Sequence, residues 1–330
     1  MLKGAAVLGG SAALAGLLWQ TATDDDSASP SASDSGSSGT QDDGAGGSDL
    51  DTLAGAVVGV LGQDGIPAID EPTFVPASEA DFLADDEPVF GLVRGGEVRA
   101  YPQLVLVWHE IVNDVVHGVR RVVTYCPLTG TVIGFEPLRE FPDITFGTTG
   151  SLVNSNLLMY DRATGSHWPQ VLGTAIRGEL RGTRLDAFPL LWSTWAAWRA
   201  AHPDTQVLTT DTGFVRDYGG DPYGSYTDDN GYYAEGDPWF PVLNSDDRFD
   251  PKEVVVGVRS GNAQLAIPKE LIRERGRVDT ELGGTRLRAT WHDALDTAQV
   301  VRRDDGDPAD FLDAMWFAWY AFYPDTKVLA

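Results

Sequence analysis

One cysteine and one histidine are the residues of this sequence whose types and spacing most clearly allow chemistry. The segment HEIVNDVVHGVRRVVTYC at 109–126 has period-two alternation on both sides of His117 and Gly118, which is the pattern of a β-hairpin. With a two-residue loop, opposed positions sum to 235, so we expect His109 to lie opposite Cys126 with Cβ atoms about 5 Å apart. Cys126 is the only cysteine, so it acts as a thiol and not in an internal disulfide.

A thiol beside an imidazole suits two kinds of chemistry. The imidazole of His109 can act as base and hold Cys126 as the nucleophilic thiolate, while a third side chain orients the ring. The same two ligands suit a soft or borderline metal such as copper or zinc, with Met159 or His167 completing a copper site. A third interpretation is that Cys126 is a small core residue without chemistry. The orienting candidates on the same hairpin are Glu110, Asn113 and Asp114.

Polar residues that follow Cys126 are expected to bind a substrate beside the thiol. The turn Pro-Leu-Thr-Gly-Thr at 127–131 could present its N–H groups to an oxyanion. The segment 146–170 is rich in Asn, Ser and Thr and could form a wall of a pocket. It could equally be a surface hairpin with Asp161 and Arg162 as an exposed pair. The candidate binding residues are Thr129, Thr131, Asn156, Asp161, Arg162, Trp168 and Gln170.

An internal repeat organises the elements that carry these residues. The run EPVFGLVRGGEVRAYP at 87–102 aligns with EVVVGVRSGNAQLAIP at 253–268, and the alignment matches Gly91 with Gly257. Each run has two β-rich halves around a turn, which predicts a hairpin. A self-similarity of this kind indicates two related structural units.

The candidate Cys/His pair occurs only once in this repeat. The same alignment places His292 against Cys126 and Arg275 against His109. The glycines of the scaffold persist in the second copy, whereas the pair does not. We therefore expect any chemistry to lie in the first copy.

Two Trp-rich segments form a second match within the chain. LWSTWAAWRAAHPDTQVL at 191–208 and AMWFAWYAFYPDTKVL at 314–329 share two Trp positions and a Pro-Asp-Thr-x-Val-Leu ending. Trp192, Trp195 and Trp198 recur every three residues, which places them near one face of a short helix. This spacing predicts core packing and not a cofactor site.

The predicted fold is mainly β, a β-rich α+β architecture. We expect two related β lobes from the repeat, each with a short Trp-rich helix. The first lobe spans 65–210 and holds the candidate site, and the second, degenerate copy spans 251–330. A Gly/Tyr/Asp-rich connector at 211–250 joins them.

The first fifty residues predict export. Residues 1–20 carry one charge, at Lys3, and an apolar run of about fifteen residues, which is short for a membrane span and right for a signal peptide. Residues 21–50 are rich in Ser, Gly and Asp and contain no basic residue, which predicts a disordered linker. We expect an extracytoplasmic protein, secreted or attached to the cell surface. It would touch a membrane only through residues 1–20, as a signal peptide or an uncleaved anchor.

The charge balance excludes some partners and suggests an environment. The 330 residues include 49 acidic and 24 basic side chains, a net charge of −25, which disfavours a nucleic-acid partner. Only four of the basic residues are lysines. A surface so rich in carboxylates is typical of adaptation to high salt. The chain has no Walker loop, GxSxG elbow, HExxH motif or zinc-type cysteine spacing, so the commoner hydrolase and nucleotide-binding classes are disfavoured.

Several motifs together resemble a known family. WHEIVND at 108–114, VTYCPLTGT at 123–131, NSNLLMYDR at 154–162, WPQ at 168–170 and AMWFAWYAFYPDT at 314–326 look like the domain of unknown function 3179. That family is found in bacteria and halophilic archaea, often behind a signal or lipoprotein leader, and the resemblance covers about residues 65–330. It implies that the following residues match family motif positions: His109, Glu110, Asn113, Asp114, Cys126, Asp161, Arg162, Trp168 and Gln170.

The chain departs from this family at Thr129, where many members have a second cysteine. The departure weakens a disulfide-redox or two-cysteine metal role here, and the family brings no established activity. The leading hypothesis is therefore an exported, salt-adapted protein in which Cys126 is a nucleophile and His109 its base. The alternatives are a copper-binding or electron-transfer protein with ligands Cys126, His109 and Met159, and a non-enzymatic cell-surface module.

Overall fold

Short strands follow one another closely along this chain. A computed structural model describes residues 49–226, 231–234 and 236–330, so the predicted leader at 1–20 and nearly all of the predicted linker at 21–50 lie outside the described residues. The helices are α1 Leu50–Gly55, α2 Gln103–Leu106, α3 Trp195–Ala201, α4 Lys269–Arg275 and α5 Trp316–Phe322, and a 3-10 turn spans Ala77–Glu79. The strands are β1 Val58–Gly59, β2 Phe74–Pro76, β3 Pro88–Arg94, β4 Glu97–Pro102, β5 Ile111–Val116, β6 Val119–Cys126, β7 Thr131–Phe135, β8 Phe146–Val153, β9 Asn156–Asp161, β10 His167–Pro169, β11 Ala187–Phe188, β12 Leu191–Thr194, β13 Gln206–Leu208, β14 Val254–Ser260, β15 Ala263–Pro268, β16 Arg277–Leu282, β17 Thr285–His292, β18 Thr297–Arg302, β19 Asp310–Met315 and β20 Lys327–Val328.

The strands of the described residues form five sheets. Their orders are β1-β8-β9-β10, β11-β7-β6-β5, β12-β3-β4-β13-β2, β19-β14-β15-β20 and β16-β17-β18. Most neighbours are antiparallel, which is the pairing that short connections allow. The predicted mainly β class is confirmed.

The predicted hairpin between β5 and β6 forms with the predicted register. Ile111 pairs with Thr124 and Val116 with Val119, so opposed positions sum to 235 as expected. His117 has φ 51° and Gly118 has φ 72°. A two-residue loop with both φ angles positive matches the right-handed twist of the flanking strands, which explains why this register is formed.

The extension of that register to His109 is wrong. Strand β5 begins at Ile111, and the preceding residue, Glu110, is left-handed with φ 57°. The N–H of His109 donates to Leu106 O at 3.1 Å, so His109 belongs to the turn that follows α2. The positive φ of Glu110 turns the chain away from the strand direction, so His109 does not lie opposite Cys126. Cys126 pairs instead with Thr131 of β7.

Two of the sheets share an arrangement that explains the matched motifs. In β12-β3-β4-β13 and in β19-β14-β15-β20, the first pairs are antiparallel and the last pair is parallel. A Cβ atom on Gly91 would lie 2.0 Å from the ring of Trp198, and one on Gly257 would lie 2.2 Å from the ring of Trp319. Only glycine allows each indole to pack flat on its strand.

The indole N–H groups of these two tryptophans also have equivalent partners. Trp198 Nε1 donates to Thr205 Oγ1 at 3.1 Å, and Trp319 Nε1 donates to Thr326 Oγ1 at 2.9 Å. Both indoles are fully buried, as is Trp195, in agreement with the core packing expected from the Trp spacing. The expectation that Trp192 shares the helix of Trp195 and Trp198 is wrong, because Trp192 lies in strand β12 and is only partly buried. The duplication itself and the lobe boundaries at 65–210, 211–250 and 251–330 stay predictions. The described residues belong to one compact unit.

No helix of the described residues is both long enough and apolar enough to cross a membrane.

Candidate functional site

Cys126 ends strand β6 in the interior. Its side chain is fully buried, and its Sγ accepts the N–H of Leu157 at 3.4 Å and lies 4.0 Å from Ser155 O. Burial, and after it the negative charge of Glu110, raise the pKa of the thiol to about 12. At neutral pH the sulfur is therefore a protonated thiol, which is the opposite of the activated thiolate predicted from the sequence.

His109 is also buried, but its partners are not those predicted. Its Nδ1 lies 2.8 Å from Pro67 O, and its Nε2 lies 2.6 Å from the hydroxyl of Tyr218. Burial lowers the pKa of His109 to about 4, so the ring is neutral at neutral pH. Because both ring nitrogens already have protein partners, His109 is placed neither as a base for Cys126 nor as a copper ligand beside it.

The proton positions around His109 follow from its partners. A carbonyl only accepts hydrogen bonds, so Nδ1 carries the proton of the neutral ring and donates to Pro67. Nε2 is then an acceptor, and the hydroxyl of Tyr218 must donate to it. Thr212 Oγ1 lies 2.6 Å from the same hydroxyl and therefore donates to Tyr218.

Glu110 is the most unusual of the predicted site residues. Its side chain is 5% exposed, and within the described ranges neither a hydrogen bond nor an ion pair reaches its carboxyl group. Burial by itself raises the pKa of Glu110 to about 8. The carboxyl is therefore mainly protonated at neutral pH, and it sits on a backbone that has left-handed φ. Strained non-glycine residues of this kind concentrate at functional sites.

Asn113 and Asp114 hold strands together instead of orienting His109. The amide of Asn113 donates to Phe146 O at 2.8 Å and accepts the N–H of Phe146 at 2.9 Å. Asp114 accepts from the hydroxyl of Tyr101 at 2.6 Å and forms a buried ion pair with Arg99. Each side chain has its hydrogen bonds satisfied within the fold.

Four of the predicted binding residues form a closed hydrogen-bonded network. Thr129, Thr131, Asn156 and Gln170 are fully buried. The side-chain oxygen of Gln170 accepts from Thr131 at 2.6 Å and from Asn156 at 2.9 Å. Thr129 lies 2.8 Å from Thr131 and accepts from Asn156 at 3.0 Å. These groups satisfy one another inside the protein and leave no donor directed toward a cavity.

The predicted oxyanion site in the turn at 127–131 is not formed. The N–H of Thr129 donates to Cys126 O at 3.3 Å, and the N–H of Gly130 donates to Pro127 O at 3.4 Å. The turn uses these donors for its own backbone hydrogen bonds. They are therefore not free to bind a negatively charged oxygen.

Asp161, Arg162 and Trp168 also have structural partners. Asp161 is fully buried and accepts from the indole of Trp168 at 2.9 Å and from the N–H of Thr164 at 2.6 Å. Arg162 pairs with Asp70 at 2.5 Å, so the alternative of an exposed Asp161–Arg162 pair is also wrong.

The copper ligands proposed from the sequence are not assembled. Met159 is fully buried and pairs with Trp168 across strands β9 and β10. Among the residues that the structure describes, no group of three or more His, Cys, Asp or Glu side chains is arranged to hold a metal ion.

A cleft that the sequence did not predict is lined by Tyr218, the hydrogen-bond partner of His109. Its volume is about 300 Å³, and its lining includes Glu87, Gln103, Leu104, Tyr218, Asp221 and Tyr226. Glu87 directly precedes β3, where its carbonyl accepts the N–H at the start of α3 at 2.8 Å. The opposite wall of the cleft comes from the segment 211–250, where Gly220 O accepts a hydrogen bond from the indole of Trp108 at 3.2 Å.

The two carboxyl groups of the cleft have different surroundings. Asp221 accepts from Gln103 at 2.6 Å, from the hydroxyl of Tyr233 at 2.8 Å and from the N–H of Tyr223 at 2.7 Å. Burial nevertheless raises its pKa. Burial also raises the pKa of Glu87, and the charges of Asp86 and Asp221 raise it further.

Tyrosines connect this cleft with the interior. The hydroxyls of Tyr125 and Tyr226 lie 2.8 Å apart, and the rings of Tyr226 and Tyr233 stack at 3.7 Å. Tyr125 is the neighbour of Cys126 in β6. The signal that could have revealed the cleft is the presence of five tyrosines between positions 218 and 233, because a flexible connector does not need aromatic side chains.

Comparison with known proteins identifies a family but no activity. The sequence pattern of the family described as "Protein of unknown function (DUF3179)" matches residues 63–326. No curated protein and no solved structure matches the chain. Because the match covers most of the sequence, this chain belongs to the DUF3179 family.

Proposed function

We propose that this chain is an enzyme that carries out acid–base hydrolysis in the cleft beside His109. The observation that supports this is the pair of carboxyl groups, Glu87 and Asp221, which share one cleft, where burial raises the pKa of both and the charge of Asp221 raises that of Glu87 further. Two titratable groups in unequal surroundings are the usual basis for separate acid and base roles.

The surroundings assign the two roles. Asp221 accepts three hydrogen bonds, which favour its ionised form, so Asp221 is the base. Among the described residues no donor reaches the carboxyl of Glu87, and its nearest charges are negative. Glu87 therefore holds its proton more strongly and is the acid.

In the proposed hydrolysis, one carboxyl group accepts a proton and the other donates one. Asp221 accepts a proton from a water molecule as its oxygen attacks the substrate, and Glu87 donates its proton to the oxygen or nitrogen that leaves. The bond between the attacked atom and the leaving group breaks, and one water molecule is consumed. Proton exchange with solvent then returns Glu87 to its acid form and Asp221 to its carboxylate form.

Tyr218 and His109 position the substrate in this proposal. Because the hydroxyl of Tyr218 donates to His109, the cleft can use this oxygen only as an acceptor. It would therefore bind an O–H or N–H group of the substrate. His109 is a positioning residue here and exchanges no proton with the substrate.

Substitution of the two carboxyl groups tests the proposal. Wild-type protein at high salt is screened for release of 4-nitrophenol from nitrophenyl esters and glycosides. Glu87→Gln and Asp221→Asn should each lower kcat by roughly 10²- to 10⁴-fold, the usual effect of losing a general acid or base. Glu71→Gln and Asp204→Asn, at exposed positions, are matched controls that should retain full activity.

Wild-type turnover that survives both cleft substitutions would show that the chemistry lies elsewhere. A folded wild-type protein that releases no nitrophenol but binds a small ligand in the cleft would favour the non-enzymatic binding module. The thiolate and copper hypotheses lose their support because His109 has other partners and Cys126 is buried as a thiol.

We also propose that the protein works outside the cytoplasm in a salt-rich medium. The apolar run within residues 1–20 and the net charge of −25 support this. Screening of like charges by salt should stabilise the folded chain. Cell fractionation, and a melting temperature that rises between low and molar NaCl, are the expected results; a cytoplasmic protein with a salt-independent melting temperature would contradict the proposal.

A further inference from the structure

The cleft that Glu87 and Asp221 share has an acidic lining. Among the residues that the structure describes, this lining includes both carboxyl groups but no Lys, Arg or His. The volume of about 300 Å³ is enough for a small organic molecule. A cleft lined by one sign of charge concentrates its electric field and attracts the opposite charge. The charges of the lining therefore disfavour an anionic ligand and favour a cationic one.

Gln103 adds a largely buried amide to this lining. It is 3% exposed, and its Nε2 donates to Asp221 Oδ2 at 2.6 Å. The same nitrogen lies 3.3 Å from the hydroxyls of Tyr125 and Tyr233. These contacts fix the orientation of the amide, because only its NH₂ group can donate to a carboxylate. Within the described ranges no donor reaches the side-chain oxygen of Gln103, so this oxygen stays available to a ligand in the cleft.

The hydroxyl of Tyr218 offers a second acceptor in the same cleft. It donates to His109 at 2.6 Å and accepts from Thr212 at 2.6 Å. A hydroxyl has one proton and two lone pairs. The proton of Tyr218 is already used, so what remains for a ligand is one lone pair.

The glycines of the cleft wall offer no donors in return. The N–H groups of Gly219 and Gly220 donate to Asp217 at 3.3 and 3.4 Å, and that of Gly224 donates to Asp221 O at 3.1 Å. These donors are used within the turns of the segment itself. The ligand that fits this cleft therefore supplies donors and a positive charge. An ammonium group does both, since it has three N–H donors and no acceptor.

We propose that the cleft binds the primary ammonium group of an organic amine. The ammonium donates to the side-chain oxygen of Gln103 and to the hydroxyl of Tyr218, and the carboxylate of Asp221 provides the opposite charge. Pro88 and Leu104 also line the cleft and provide apolar surface for the carbon part of the amine. No covalent bond changes.

This proposal goes beyond the hydrolysis, because it concerns binding and does not require that a bond be broken. The two proposals are compatible at Asp221. Its carboxylate accepts three hydrogen bonds and has about four lone-pair sites, so one site remains for the attacking water. If both proposals hold, the substrate is a hydrolysable compound that carries an amino group apart from its leaving group.

A matched pair of small ligands tests the ammonium site. Benzylamine and benzyl alcohol have similar shapes, but only benzylamine is a cation at neutral pH. In calorimetric titrations at one fixed high salt concentration, wild-type protein should bind benzylamine roughly tenfold or more tightly than benzyl alcohol, as expected of charge-assisted hydrogen bonds. Asp221→Asn should remove most of this preference. Asp204→Asn makes the same change of charge at an exposed position and should keep the preference.

Two further variants separate the local contact from a loss of folding. Tyr218→Phe removes one acceptor and should weaken benzylamine binding about tenfold. Arg216 is the opposite case, because its charge acts on Tyr218 and on His109 and opposes a cation nearby. Arg216→Gln should therefore bind benzylamine roughly two- to fivefold more tightly than wild type, and a gain in affinity cannot result from unfolding.

The outcomes distinguish the ammonium site from the hydrolysis. Folded wild-type protein that binds neither ligand, or binds both with equal affinity, would overturn the ammonium site, as would a preference that Asp221→Asn leaves unchanged. Absent turnover of the nitrophenyl compounds with the benzylamine preference intact would contradict the hydrolysis and support the ammonium site. Turnover without that preference would support the hydrolysis and remove the ammonium site.

Discussion

Glu110→Gln should make the protein more stable than wild type above pH 8, although it removes a charged group. The pKa of Glu110 is raised from 4.5 to about 8 in the folded protein. Between these pH values the folded state binds more protons than the unfolded state, so the free energy of unfolding falls as pH rises. The loss reaches roughly 5 kcal/mol above pH 8, at about 1.36 kcal/mol for each unit of pKa difference.

Unfolding by denaturant at several pH values measures this effect. The wild-type free energy of unfolding should fall between pH 5 and pH 9 by more than that of Glu110→Gln, because the amide cannot ionise. At pH 9 the variant should be more stable by a few kcal/mol, after the cost of roughly 1–3 kcal/mol for a buried amide without partners. At pH 5 it should not be more stable.

The difference in pH dependence between wild type and Glu110→Gln reports on Glu110 alone, because every other titrating group is present in both proteins. The exposed Glu71→Gln variant is the control, and its pH dependence should follow that of wild type. Parallel curves for wild type and Glu110→Gln would show that the buried carboxyl is already ionised and partnered at neutral pH.

Asp161→Asn should be among the most destabilising single substitutions in the first half of the chain. The carboxylate accepts from Trp168 Nε1 at 2.9 Å and from the N–H groups of Thr164 at 2.6 Å and Ser166 at 3.1 Å. An amide in its place must direct an NH₂ group at one of these donors. Breaking a buried charged network in this way costs about 3–5 kcal/mol.

Denaturant unfolding of Asp161→Asn at high salt gives the measurement. Asp143→Asn, at an exposed position, should change the free energy of unfolding by less than about 0.5 kcal/mol. A large loss of stability would assign Asp161 a structural role and not the binding role expected from the sequence. A variant of wild-type stability that loses ligand binding would contradict the structural assignment.

The β5–β6 hairpin is predictable from the sequence except at its first residues. Period-two alternation and the His117-Gly118 loop predicted the register correctly, because side chains alternate strictly between faces and a two-residue loop allows one pairing. The extension to His109 failed at one residue. The left-handed φ of Glu110 has no signature in a non-glycine residue, so the end of the strand could not be read from the sequence.

The candidate site was only partly predictable, because part of it is formed by packing between segments that are distant in the sequence. The sequence predicts Cys126 and Glu110 as site residues, and both are buried. The cleft was missed because Gly, Asp and Tyr between 211 and 250 have the composition of a connector. The packing of that segment against α2 and the hairpin turns its tyrosines into cleft walls, and packing between distant segments leaves no periodic pattern.

The sequence by itself determined the β-rich class, the hairpin register, the buried tryptophans and the motifs of the DUF3179 family. These properties depend on local alternation, helical spacing and short motifs. Only the tertiary structure decided which polar groups meet. Tyr218 lies 109 positions from His109, and the protons on His109, Glu110 and Cys126 are set by burial. Desolvation by distant segments reverses the charge state of Glu110 and holds His109 and Cys126 in their neutral forms, and so changes the chemistry that a motif predicts.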